Sequence, residues 1–174
     1  MSDAGEHDSK RFRGQQQVTI AIDRATTADL EVLLALMRKM QLEDPWSEPF
    51  RERRVRQNLA ELLVNPFFGV VYLVRDADTV TAYLVVCFDF SLEYRGKGAW
   101  IDELFVVPSH RGCGIGAQLL DLAETASCEL GAQYLHLEVN HGNRAIELYR
   151  RRGFADHQRY LMTKRLRSGD TEEP

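Results

Sequence analysis

The chain is poor in cysteine: Cys87, Cys113 and Cys128 are an odd set with no C-x-x-C spacing in 174 residues. Neither a disulfide framework nor a zinc site is indicated, and a reducing, cytoplasmic setting is the simplest expectation. The five histidines show no ligand-like grouping, so no metal is expected. No apolar run approaches the roughly 20 residues a membrane helix needs, and the polar, charged N-terminus is unlike a signal peptide. A basic excess is also missing. The formal charge of −4 argues against a dedicated nucleic-acid binder and suits a neutral or cationic small partner. There is no internal repeat, and the length suits one domain with a real core rather than two.

Residues 1–17 hold almost no apolar side chains, too few to offset the entropy of ordering, and are expected to form a disordered tail. Residues 168–174 make a second, acidic tail. Between them, residues 18–167 are expected to fold as a single domain. Val18 to Ile22 alternates apolar and polar residues, the pattern of a strand. Thr26 and Asp29 resemble a capping box, after which Leu30, Leu33, Leu34, Met37 and Met40 recur at helical spacing. A second helix follows with Phe50, Leu59, Leu62 and Leu63 and stops at Asn65-Pro66; its arginines, Arg51 to Arg56, are read as a solvated face. Phe67 to Val74 and Thr79 to Phe88 are rich in β-branched and aromatic residues and predict a hairpin. Ala99 to Val107 is the central strand. A helix then runs from Gly114 or Ile115 to Gly131, and Tyr134 to Val139 returns parallel to the central strand in a right-handed β-α-β unit. Asn143 to Arg152 predicts a last helix, and Phe154 to Leu166 a final strand.

The stretch I-D-E-L-F-V-V-P-S-H-R-G-C-G-I-G-A-Q, Ile101 to Gln118, carries the chemistry. A strand bearing two acids leads through a short turn into a glycine-rich loop that opens a helix. The first turn of a helix has amide N–H groups without partners and a partial positive charge, and glycines let an anion approach that backbone closely. Arg111, Gly112, Gly114 and Gly116 form such a cradle for a pyrophosphate, with the Arg111 guanidinium able to add a charged contact. No Gly-Lys-Ser or Gly-Lys-Thr follows, so this is not a P-loop. Gly112, Gly114 and Ala117 do satisfy the dinucleotide pattern G-x-G-x-x-G/A. In that fold, however, the first glycine follows its strand almost at once, whereas Pro108 to Arg111 intervene here. A tight turn without a ligand is the remaining alternative.

R-G-C-G-I-G after a strand ending V-V-P, followed about thirty residues on by N-R-A-I-E-L-Y-R-R-R-G-F, resembles the GNAT superfamily of acetyl-CoA-dependent N-acetyltransferases. I-D-E-L-F-V-V-P-S-H-R-G-C-G-I-G and Y-R-R-R-G-F are similar, within it, to the diamine (spermidine/spermine) acetyltransferase branch. The resemblance implies an α/β (α+β), three-layer α-β-α fold. Its central sheet would be mixed and mostly antiparallel, with one parallel β-α-β unit at the cofactor site. It also implies acetyl-CoA as acetyl donor, held by the loop Arg111, Gly112, Cys113, Gly114, Ile115, Gly116 and Ala117 and by Asn143. Backbone N–H of Leu104, Phe105 or Val106 would serve the thioester oxygen and the pantetheine arm. Tyr149 would be the general acid for the leaving thiolate.

A primary amine is almost wholly protonated at neutral pH, so attack on a thioester needs a base. Asp102 and Glu103 are the candidates, and neighbours on a strand should point to opposite faces unless a bulge intervenes. The resemblance places the strand acid on Asp102, with Glu103 as its alternative. Direct transfer needs no covalent intermediate, so Cys113 is a spectator. Glu43, Asp44, Trp46, Glu48, Asp89, Tyr94 and Trp100 are assigned to the loop after the first helix and the loop before the central strand, where they could hold a cationic acceptor. The expected activity is acetyl transfer to a primary amine of a small molecule, including cationic amines and polyamines. A peptide N-terminus or lysine is the second reading, and a non-catalytic CoA-binding module is a third of another class. Relatives are often homodimers, which makes a homodimer a further expectation.

Overall fold

A computed structural model describes residues 20–46, 48–157, 159–164 and 166. The two expected tails, and Val18 and Thr19 of the first expected strand, lie outside the described residues. The chain divides into two compact units between Glu138 and Val139.

The first unit is built on a five-stranded sheet in the order β1 (Ile20–Arg24), β2 (Gly69–Asp76), β3 (Thr79–Ser91), β4 (Gly96–Val106) and β5 (Leu135–Leu137). The first four strands pair antiparallel with their neighbours, and β5 runs parallel to β4. The mixed, mostly antiparallel sheet with one parallel pair is therefore present. Its helices are α1 (Leu30–Glu43), α2 (Glu52–Val64) and α3 (Ile115–Glu129).

Strand side chains alternate between faces. Val71, Leu73, Tyr83, Val85 and Phe105 fall on one face and pack with Leu33, Leu34, Leu36, Met37 and Leu59 of α1 and α2. Ala82, Leu84, Val86, Ala99 and Ile101 are also buried, on the opposite face, and α3 lies against β3 and β4 with Ile115, Leu119 and Ala123 inward. Each fully buried leucine contributes roughly 1.5–3 kcal/mol. Entry into α1 is set by Thr26, whose backbone N–H donates to the Asp29 carboxylate at 2.9 Å; a 3-10 turn, Thr27–Asp29, precedes the helix. The basic stretch of α2 is not merely solvated. Arg56 pairs with Glu31, and Glu52 takes the Arg38 guanidinium, so the two helices are cross-linked along their exposed sides.

The second unit contains one further helix, α4 (Ile146–Arg151), shorter than the expected Asn143 to Arg152. The expected final strand is corrected. Among the described residues from Phe154 to Leu166 none is in a strand, and Tyr160, Leu161 and Met162 are 95%, 65% and 88% exposed. A strand needs a ladder and a packed face, and three consecutive exposed apolar residues supply neither. No helix among the described residues is long and apolar enough to cross a membrane.

Candidate active site

The strand acids are separated by a bulge. Val85 pairs with Glu103 while its neighbour Val86 pairs with Ile101, so Asp102 is an extra residue on β4 with no partner on β3. An extra residue reverses which side chains share a face beyond it. Trp100 lies opposite Cys87, on the α1–α2 face, and Ile101 lies on the α3 face. Without the bulge Glu103 would join Ile101; with it, Glu103 joins Trp100. Glu103 is 7% exposed, whereas Asp102 is exposed.

Glu103 is a carboxylate under tension between burial and hydrogen bonding. The Tyr83 hydroxyl, fully buried, donates to Glu103 Oε2 at 2.9 Å. Removal from water pushes the Glu103 carboxyl up to about 7; hydrogen bonds from Tyr83 and Trp46 oppose this, and the Asp102 charge adds to it. Although Asp102 as a whole is exposed, partial desolvation of its carboxyl by the surrounding sheet raises it as well. Cys87, half-buried beside both acids, has its thiol pushed up to about 12 by burial and by their charges.

Beyond Ile101 the outer edge of β4 has no strand partner among the described residues. Pairing with β5 ends at Ile101 and Leu137. Val107 N–H donates to Thr81 O at 2.9 Å. Alternate residues of an antiparallel ladder turn their polar groups to the same side, so Phe105 also faces β3. Leu104 and Val106 face the open edge. Of the three backbone positions expected to serve the acyl donor, these two turn their polar groups to that outer edge, and the Phe105 amide is committed to the sheet.

From Val106 the chain passes through a 3-10 turn, Pro108–His110, into the glycine loop. Gly112 and Gly114 have φ of +76° and +86°, a left-handed conformation that costs other residues, and nothing lies within 4 Å of where either Cβ would be. Gly114 is the N-cap of α3, and Gln118 is the first residue to bond back to it. The amides of Ile115, Gly116 and Ala117 thus have no intrahelical partner. Arg111 makes three contacts within the protein. Its Nε donates to Val106 O at 2.8 Å, its Nη2 pairs with Glu43 Oε2 at 2.7 Å, and its guanidinium carbon lies 5.6 Å from the Phe105 ring centroid. Arg111 therefore ties the end of α1 to the loop, and Glu43 is neutralised rather than available to an acceptor. Cys113 is exposed, its thiol directed at the Arg111 carbonyl.

At the other end of β4 an aromatic group gathers around one carboxylate. Trp100 Nε1 and the Tyr134 hydroxyl donate to the two oxygens of Asp89 at 3.1 and 3.0 Å. The His136 ring centroid is 4.8, 5.1 and 4.7 Å from those of Tyr94, Trp100 and Tyr134. Asp89, Tyr94 and Trp100 were expected at the acceptor site and Tyr134 and His136 were not, although the alternation Tyr-Leu-His-Leu puts both on one face and is the signal that could have found them. Gly98 makes the cluster possible. A Cβ there would sit 2.0 Å from Tyr134 Cζ and 2.4 Å from Asp89 Oδ1. Gly98→Ala is therefore expected to destabilise the protein by roughly 1–3 kcal/mol, read as a lower midpoint in thermal unfolding.

In the second unit, Asn143 Oδ1 accepts the Ala145 N–H at 2.9 Å, a local contact that opens α4. Tyr149 is half-buried on α4, its ring 6.1 Å from that of Phe154 in an edge-on arrangement. No metal-ligating group of His, Cys, Asp and Glu is found among the described residues. Trp46 reaches Glu103 from the loop after α1, and the Trp46 backbone N–H is held by Gln41 Oε1 at 3.3 Å.

The same architecture recurs in known proteins. An integron cassette protein from the mobile metagenome of Cole Harbour Salt Marsh superposes with a TM-score of 0.73 at 28% identity, over 84% of this chain and 91% of that one. A streptothricin acetyltransferase of Streptomyces lavendulae is 48% identical over 56 residues, 32% of this chain and 30% of that protein. A thialysine N-epsilon-acetyltransferase of Bos taurus is 30% identical over 78 residues, 44% of this chain and 45% of that protein. The chain spans less than half the length of these curated relatives. Residues 33–154 match the model of the Acetyltransferase (GNAT) family, and with its strand-loop-helix order in place the chain belongs to that family.

Proposed function

We propose that this protein transfers the acetyl group of acetyl-CoA directly to a primary amine of a small molecule, with Glu103 as general base and Tyr149 as general acid. The observation that carries the proposal is the composition of β4 and its exit: one strand presents a buried carboxylate, an open backbone edge and a glycine loop at a helix mouth.

The loop suits a diphosphate on its own geometry, since the space a Cβ would occupy at Gly112 and Gly114 is open and the α3 amides point outward. Acetyl-CoA bound there would supply an acyl group activated as a thioester. Gly112 to Ala117 would hold the diphosphate, with Arg111 bracing the loop from beneath. The Leu104 and Val106 edge would bond the amide arm, and Asn143 would add a contact at the start of α4. Glu103, ionised, takes the proton of the attacking amine; at 7% exposure it does so through a bridging water. An amide on the open edge of β4 donates to the carbonyl oxygen as negative charge develops there. Tyr149 gives its phenolic proton to the departing thiolate. The thiol of Cys87 stays protonated at neutral pH, which supports direct transfer over a cysteine-bound acyl group.

For the acceptor, Asp89 and the rings of Tyr94, Trp100 and Tyr134 offer charge and ring faces to a cationic amine. The names of the two curated relatives, for streptothricin and thialysine, favour a small molecule over a protein terminus. The test is thiol release from acetyl-CoA against a panel of diamines, amino acids, aminoglycosides and N-terminal peptides. Turnover is expected with a cationic small amine. Silence with every acceptor, alongside CoA binding, would leave a binding module and overturn the proposal. The kcat/KM profile should rise through about pH 7, because a base is inactive while it keeps its proton and Glu103 loses its proton there. A profile that is flat from about pH 5.5 to 8 would remove Glu103 as the base.

A further inference from the structure

We propose that Tyr83, on β3, is a positioning residue for the transfer: its buried hydroxyl clamps the Glu103 carboxylate and fixes the oxygen pair that handles the amine's proton. The inference rests on Glu103 as base, and it adds a residue that neither the motifs nor the relatives single out.

The geometry argues for it in three steps. Tyr83 pairs with Phe105 and Val85 with Glu103, so Tyr83 and Glu103 are diagonal neighbours on one face, within reach of an aromatic side chain. The Tyr83 ring is fully buried, and its centroid lies 6.1 Å from that of Phe105. A phenylalanine would fill that space; the hydroxyl is the costly part, since a buried hydroxyl must find a partner. Its oxygen lies 3.4 Å from the Met40 sulfur, a weak acceptor, and 2.9 Å from Glu103 Oε2. One proton serves one strong bond, and the carboxylate is the stronger acceptor.

The groups facing Glu103 are few among the described residues. Tyr83 and Cys87 face it from β3, Asp102 from its own strand, and the Trp46 indole from the loop after α1. Burial and the two acids hold the Tyr83 phenol well above its ordinary value, and Cys87 is held at about 12. Both remain protonated through the working range. Tyr83 is thus a permanent donor that favours the ionised carboxylate, not a proton carrier itself.

The experiment is Tyr83→Phe, which keeps the ring and deletes one hydrogen bond. The acid limb of kcat/KM should move upward by about one pH unit, with roughly tenfold less turnover near pH 6 and recovery near pH 9. An unmoved limb, or an equal loss at every pH, would make Tyr83 structural and overturn the proposal. Carbon-13 titration of the Glu103 carboxyl gives the same answer without turnover: its midpoint should rise in Tyr83→Phe even if no acceptor is ever acetylated. That separates failure of this inference from failure of the proposed activity. Should the variant not fold, the intact protein still decides. The Tyr83 Cζ resonance should shift with the midpoint of Glu103, and a Cζ signal indifferent to that titration would refute the clamp.

Discussion

Glu103→Gln is expected to lower kcat/KM for the amine by roughly 100- to 10,000-fold, the range of a lost general base, with CoA affinity changed less than about threefold. Glutamine keeps the shape of the side chain and can still receive the Tyr83 hydroxyl, so the loss would report the missing proton acceptor. Asp102→Asn should cost less than about tenfold, since Asp102 is the exposed bulge residue and lacks that clamp. Steady-state kinetics of both variants at one saturating CoA concentration separates them. A larger loss in Asp102→Asn would reassign the base. The same substitution carries a stability signature. Glu103 titrates near 7 when folded against about 4.5 in its ordinary state, so its contribution to stability is full below 4.5 and is lost as pH rises through 7. Removing the ionisable group relieves that loss. Glu103→Gln should therefore be more stable than the parent near pH 8, by on the order of 3 kcal/mol at most, with the gap closing near pH 4. Urea unfolding at the two pH values measures it.

Tyr149→Phe is expected to reduce kcat by roughly 10- to 1000-fold with little change in CoA affinity, because only the phenolic proton is removed. The ring contact with Phe154 is preserved in the variant, so folding should survive. Thiol release under saturating CoA reads the effect. Poorer leaving groups should suffer more, since a general acid matters most when the departing sulfur is most basic. Turnover equal to the parent would take Tyr149 out of the mechanism.

What the sequence revealed here depended on whether a local rule decided the outcome. The glycine loop was legible because Gly112 and Gly114 encode a backbone shape, and the capping pair Thr26 and Asp29 because it is a contact three residues apart. The helix faces of Leu33, Leu34 and Met37 followed from periodicity alone. The choice between Asp102 and Glu103 did not. It rests on a bulge set by pairing with Val85 and Val86, residues about 17 positions away, and no short pattern announces it. Tyr83 did not stand out within the stretch Thr79 to Phe88, because its partner lies on another strand. The ion pair of Arg111 with Glu43 was not legible either, since it depends on where α1 ends, which is a tertiary fact. The apolar run after Phe154 misled for the opposite reason: its composition suits a strand, but composition cannot supply a neighbour to bond.

The unpaired Asp102 also divides β4 into two stretches that run out of phase. Up to Ile101 the strand obeys one alternation, and from Glu103 onward the other, so the indole of Trp100 and the acid that follows three positions later end up on common ground. Changes of residue type in this segment would alter chemistry and leave geometry alone. The bulge itself is a different matter: were the ladder to close evenly with every residue kept, the whole downstream half would realign, sending the acid beneath α3 and lifting Phe105 out of its packing, whereas dropping the unpartnered Asp102 would leave Ile101 and Glu103 opposite Val86 and Val85 on their present faces. What keeps the two ends of a strand of this length cooperating is the single skipped pairing at Asp102.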